Sequence, residues 1–197
     1  MKIILATNNK GKVNELRELL AGLPFEILSL ADFPHLPEVV ENGETFADNA
    51  AKKAKEVALA TGLLALADDS GLEVDYLQGA PGVHSARFAG PQRSDQDNNA
   101  KLLHLLQHLP LEERTARFRC VIALAQPDGT IELADGSCEG KIGLTPEGAG
   151  GFGYDPLFYL PEYGCTFAQL DLKAKNQISH RGRALQKVRQ RLEEMVR

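Results

Sequence analysis

Apolar positions follow two rhythms along the chain: short unbroken runs, and stripes that return every third or fourth residue. The run at 2–6 is apolar and β-rich, which predicts a buried strand. After Thr7-Asn8-Asn9-Lys10-Gly11, the stripe Val13, Leu16, Leu19, Leu20 and Leu23 predicts a helix, closed by Gly22 and Pro24. Residues 25–28 read as a second strand and 34–37 as irregular chain. Thr45 followed by Asp48 has the pattern of a capping box. The helix it opens carries Phe46, Ala50, Ala54, Val57 and Ala58 on one face and ends at Gly62. A third strand at 63–67 leads directly into Asp68-Asp69-Ser70-Gly71.

Ser94 with Asp97 repeats the capping pattern for a helix reaching about 109, where Pro110 stops it. Phe118, Cys120, Ile122 and Leu124 alternate at period two, so 117–125 reads as a strand. Pro127-Asp128-Gly129 is a turn, because Pro presets φ and Gly accepts the left-handed position. The strand at 130–138 completes an antiparallel hairpin. A closing helix from 181 turns Leu185, Val188, Leu192 and Met195 inward. Helices interleave with strands and no linker or repeat divides them, which predicts one domain over 1–197 in the α/β class with a mixed sheet.

Composition narrows the partners. With 22 Lys+Arg against 27 Asp+Glu the net charge is −5 over 197 residues, a poor balance for tight nucleic-acid binding, which rests on phosphate neutralisation. A local cationic pocket for one polyanionic small molecule is still compatible with it. No apolar run approaches the roughly 18 residues of a membrane span. Cys120, Cys138 and Cys165 are far apart and odd in number, as in reduced thiols, and the expectation is a cytoplasmic protein.

Several stretches carry candidate chemistry. Thr7-Asn8-Asn9-Lys10-Gly11-Lys12 takes a strand end into a helix N-terminus, whose free N–H groups and dipole suit an anion, although the same residues would also make a plain polar turn. Asp68 and Asp69 follow a buried run. They could take a hard cation or orient water, provided the chain bends near Gly71, since neighbours on a strand point to opposite faces. Lys53 sits at the edge of an apolar stripe and either enters a cleft or snorkels to solvent. Glycines flanking Phe152 would let backbone approach a flat ligand on which the ring could stack, with Gly153, Tyr154 and Asp155 beside it. Lys175, His180 and Arg181 gather near the start of the last helix, where the dipole disfavours cations unless an anion compensates. His104 and His108 lack the intervening Glu of a zinc-binding helix and read as surface residues.

In chain order the motifs are Thr7-x-Asn9-x-x-Lys12, Asp48-Asn49-Ala50-x-x-Lys53-Ala54, Ala67-Asp68-Asp69-Ser70-Gly71-Leu72, Gly79-Ala80-Pro81-Gly82, Gly151-Phe152-Gly153-Tyr154-Asp155-Pro156 and Ser179-His180-Arg181-Gly182. Together they resemble the inosine triphosphate pyrophosphatase family, with Asn8 standing where many relatives carry Gly. The resemblance implies an elongated α/β/α fold in which a long twisted mixed sheet forms two lobes around a central cleft. It implies a homodimer and a Mg²⁺-dependent hydrolase that cuts ITP, dITP and XTP to the monophosphate and pyrophosphate. By the same resemblance Thr7, Asn9 and Lys12 hold the triphosphate, within the loop that also contains Asn8, Lys10 and Gly11. Glu41 and Asp69 hold the metal, with Asp69 the base and Asp68 close by. Ser70, Lys53 and Lys175 touch phosphate or sugar, and Phe152 to Asp155, His180 and Arg181 hold the purine.

Overall fold

The computed structural model describes residues 1–92 and 94–196. Strand β1 (Lys2–Leu5) leads to helix α1 (Lys10–Leu19), β2 (Glu26–Ser29), α2 (Phe46–Thr61) and β3 (Leu64–Val74). Then come α3 (Asp95–Leu106), β4 (Thr115–Ala125), β5 (Ile131–Ile142), β6 (Phe158–Leu160), β7 (Cys165–Thr166), α4 (Leu172–Ile178) and α5 (His180–Met195). The strands form one seven-stranded sheet in the order β2-β1-β3-β4-β5-β6-β7. β1 pairs in parallel with β2 and β3, while β6 pairs antiparallel with β5 and β7, so the sheet is mixed and the class α/β, as expected.

The local signals act as their chemistry dictates. Thr45 and Asp48 close a full capping box on α2, and Gly62 ends that helix at φ +69°. Gly129 takes φ +90° in the turn between β4 and β5. Several boundaries differ from the sequence reading: α1 ends at Leu19, short of Leu23, and β4 begins at Thr115. β3 continues through Asp68, Asp69, Ser70 and Gly71 instead of stopping at Ala67, because both acids find partners that make their burial tolerable. β5 extends to Ile142, and α3 ends at Leu106. Helix α4 has no counterpart in the apolar pattern; Asp171 caps it by accepting from the Ala174 N–H.

By contacts the chain divides into two compact units. The first comprises Met1–Asp69, Cys120–Gly136 and Arg181–Arg197, the second Ser70–Arg119 and Ser137–His180. Each has its own core. In the first, Ile3, Leu5, Leu64 and Leu66 on the sheet pack with Leu16 of α1, with Leu20 just after it, and with Leu185, Val188 and Leu192 of α5. In the second, Leu72, Val74, Leu102, Phe118, Phe158 and Phe167 come together. Burying one such aliphatic side chain contributes about 1.5–3 kcal/mol. No helix is long and apolar enough to cross a membrane among the described residues.

Candidate active site

Alternation along β3 decides what each acid of the first unit meets. Leu64 and Leu66 face α1 and α5, and Asp68 shares their parity; Asp69 faces the other way, toward α2. The sequence reading required a bend at Gly71 for both acids to serve one ion. The strand stays regular instead, and the acids serve different neighbours.

Asp68 is fully buried. Its Oδ2 accepts from Lys12 Nζ at 3.0 Å and from Arg181 Nη2 and Nε at 3.0 and 3.1 Å. Arg181, itself buried, also donates through Nη1 to Glu15 on α1. Burial alone would raise the Asp68 carboxyl, but Lys12, Arg181 and Lys53 overturn that and hold it far below the ordinary carboxylate range. The resemblance implied Arg181 as a donor to the base; the structure places its guanidinium on two carboxylates of its own unit. These also compensate the unfavourable position of a cation in the first turn of α5.

Asp69 lies on the opposite face, also buried, and accepts from Asn49 Nδ2 at 3.0 Å. Burial pushes its carboxyl up; Lys53, Lys12 and the Asn49 hydrogen bond pull it down, and Glu41 adds to the rise. Lys53 turns inward rather than snorkelling: its Nζ donates to the Asp68 carbonyl at 2.6 Å and to Glu41 Oε1 at 3.2 Å, and lies 3.8 Å from Asp69 Oδ1. Glu41 and Asp69 therefore already converge on one cationic centre. Two carboxylates with oxygen donors suit a small hard cation that takes its remaining ligands from phosphate and water. No denser group of three or more metal-binding side chains occurs among the described residues.

The loop before α1 is built as an N-terminus. Asn9 caps it by accepting from the Lys12 N–H at 3.1 Å, and Thr7 Oγ1 accepts from the Asn9 N–H at 3.2 Å. Asn8, Asn9 and Lys10 are exposed, whereas Thr7, Gly11 and Lys12 are half-buried, and the Lys12 ammonium turns to Asp68.

The second unit holds the remaining candidates. Half-buried Ser70 is its first residue. Asp155 Oδ2 accepts from the Phe152 N–H at 2.9 Å and from Lys175 Nζ at 2.6 Å, and that ammonium lies 4.9 Å from the centre of the Phe152 ring. Asp155 thus positions the ring and the lysine, a cation–π pairing. Gly153, at φ +62°, is held by the N-terminal part of α3: its N–H donates to Asp95 at 2.8 Å and its carbonyl accepts from Asn99 at 3.0 Å. Tyr154 is a buried strut, its hydroxyl donating to the Ser85 carbonyl at 2.7 Å. Ser85 in turn holds Leu72 N–H and the Gly82 carbonyl, which is how the Gly79-Ala80-Pro81-Gly82 turn enters the site. His180 stacks on Phe118 with centroids 4.7 Å apart at 12°.

Sequence reasoning therefore missed Glu15, Asn49 as a holder of Asp69, and the clamp formed by Asp95 and Asn99. Glu15 had one available signal, an acid lying beside Leu16 on a helix whose inward face also carries Lys12. His104 and His108 are exposed, as expected.

A profile of the Ham1 family matches residues 3–191. A dITP/XTP pyrophosphatase of Desulforamulus reducens is 64% identical over 187 residues, covering 95% of this chain and 93% of its own. Another from Geobacter sulfurreducens is 58% identical, covering 93% and 92%. Among solved structures, a HAM1 protein from Coxiella burnetii superposes with a TM-score of 0.89 at 42% identity, covering 98% of this chain and 99% of that one. The Staphylococcus aureus Ham1 protein gives 0.87 at 39%, covering 99% and 100%.

Proposed function

The chain belongs to the Ham1 family, and we infer from this that it is a nucleoside-triphosphate pyrophosphatase that hydrolyses deaminated purine nucleotides, ITP, dITP and XTP, to the monophosphate and pyrophosphate. The observation that carries the reading is the pair of neighbouring acids on β3. One is locked as a carboxylate among cations; the other is buried and raised beside Lys53 and Glu41.

We assign the residues as follows. The turn Thr7, Asn8, Asn9, Lys10, Gly11 and Lys12 receives the triphosphate through N–H groups and the Lys12 ammonium. Lys53, Lys175 and Ser70 add contacts to phosphate or sugar. Asp69 orients a water and takes its proton as the water oxygen bonds to the α-phosphorus, while the bond from that phosphorus to the bridging oxygen breaks and pyrophosphate leaves. Charge developing on the phosphate oxygens is met by Lys12 and Lys53. Glu41 and Asp69 would hold Mg²⁺, which supplies charge neutralisation and a more acidic water when bound. Phe152 stacks on the purine, and Gly153, Tyr154, Asp155, Lys175 and His180 shape or line its place.

A donor from His180 suits the 6-oxo group of hypoxanthine or xanthine. Adenine offers an amino group there, and the resulting unpaired polar groups cost about 1–3 kcal/mol each. Arg181 belongs to Asp68 and Glu15 in this assignment and not to the base. We further propose a cytoplasmic homodimer acting on the free nucleotide pool, with no nucleic-acid or membrane partner.

Product analysis decides the reaction. Incubation with ITP and Mg²⁺ gives IMP and pyrophosphate under this reading; IDP with phosphate, or intact ITP, refutes it.

A further inference from the structure

The first unit contains a buried chain of alternating charges that the reaction as assigned does not use as a whole: Glu15, Arg181, Asp68 and Lys12. Three of these side chains are all but inaccessible, and the fourth, Lys12, is 14% exposed at its side chain. A single oxygen, Asp68 Oδ2, is shared by two cations. Arg181 holds it through two contacts at 3.0 and 3.1 Å, and Lys12 through one at 3.0 Å.

How that oxygen is divided between its cations depends on what else balances Arg181. With Glu15 ionised, the guanidinium is shared between two carboxylates, and Asp68 keeps attraction to spare for Lys12. With Glu15 neutral, a larger share of the counter-charge of a buried guanidinium falls on Asp68. The two-contact partner then draws that carboxylate toward α5, and the one-contact partner loses its seat. We propose that Glu15 is a positioning residue for the phosphate-binding lysine: acting through Arg181 and Asp68, it fixes the Lys12 ammonium at the N-terminus of α1 before the triphosphate arrives. An ammonium on a flexible four-carbon stem gives up considerable rotamer freedom when it binds, and a seat that is already made removes that cost.

The inference rests on the assignment of the Lys12 turn to triphosphate, so the test includes a ligand that needs neither base nor turnover. In Glu15→Gln, the KM for ITP and the Kd for inorganic tripolyphosphate by calorimetry should rise together by about tenfold, with kcat within about threefold and the ITP-to-GTP preference unchanged. In a Lys12→Ala background the same substitution should add nothing further to either constant, since its route runs through Lys12. Glu15→Asp keeps the charge and shortens the reach, and should give a smaller rise of about threefold; it carries the test if Glu15→Gln does not fold.

The proposal is overturned if KM and tripolyphosphate affinity stay unchanged while only the melting temperature falls. A fall in KM, an additive effect in the Lys12→Ala background, or a changed ITP-to-GTP preference overturns it equally. Failure of the wild-type protein to cut ITP would instead remove the functional reading and leave the tripolyphosphate comparison standing.

Discussion

Two consecutive aspartates on β3 differ in the sign of their contribution to stability. Asp68 is held below its ordinary value, so its stabilisation is in place above about pH 4 and is lost as the pH falls through and below that point. Asp69 is raised by burial, so it costs stability once the pH climbs above the ordinary carboxylate value, and the cost is absent in acid. At pH 7 in chelator, Asp69→Asn should therefore melt at a higher temperature than wild type, with the gain vanishing below about pH 4. The same variant should lose at least about 100-fold in kcat with a modest KM change. Asp68→Asn should instead lose about 3–5 kcal/mol at pH 7, because it leaves buried cations undercompensated. Thermal melts across pH beside steady-state kinetics check both; a destabilised Asp69→Asn contradicts the account. A third residue behaves simply: buried Asn176 of α4 finds no hydrogen-bond partner for either amide atom among the described residues. Asn176→Leu should stabilise by about 1 kcal/mol, seen as a rise of about 2–4 °C in melting temperature. At this scale the sequence displays the candidate residues but hides what holds them. Asp68, Asp69 and Lys53 stand out as polar groups on apolar patterns, whereas the bond from Arg181 to Glu15 joins positions 166 residues apart and leaves no local trace.

Helices and turns deliver these side chains. α2 brings Asn49 and Lys53 to Asp69, and Asn49 is itself fixed because its Oδ1 accepts from the Gly43 N–H at 2.8 Å. A Cβ at Gly43 would stand 2.7 Å from Asp48 Cβ and 2.8 Å from Asn49 Oδ1, closer than atoms tolerate. Gly43→Ala should therefore displace Asn49 and lower kcat/KM for ITP by about tenfold with a small change in melting temperature; unaltered kinetics would show that Asn49 does not orient Asp69. Elements with strong local rules were legible: the capping box of α2, its glycine terminus and the β4–β5 turn follow from a few adjacent residues. Boundaries set by tertiary partners were not. A run of Asp-Asp-Ser-Gly looks like the end of a strand, and only Lys12, Arg181, Asn49 and Lys53, all distant in sequence, let β3 carry it onward to Val74. α4 is short and lacks an apolar stripe, so nothing local announces it beyond its Asp171 cap.

At the scale of the molecule, neither unit is a continuous stretch of chain. The first is assembled from three segments and the second from two, and the divisions at Asp69–Ser70 and His180–Arg181 fall inside two of the sequence motifs that carry the family resemblance. In sequence, interleaved helices and strands with no linker or repeat read as one domain; periodicity itself reports which face is buried and not which core it joins. Removal of everything after His180 would delete Ala184, Leu185, Val188 and Leu192 from the first core, along with Arg181. Such a chain should fail to fold cooperatively, with no sharp thermal transition; a melt like that of the full chain would contradict the assignment of α5 to that core. The alternation of β3 has one more consequence. Under the proposed assignment, mutations of Glu15 or Arg181 act through Asp68 on the seat of Lys12, and mutations of Asn49 act on Asp69, with β3 between the two sets. Changes drawn one from each side should combine close to independently, so selection, in nature or in the laboratory, can adjust affinity and turnover as separate traits.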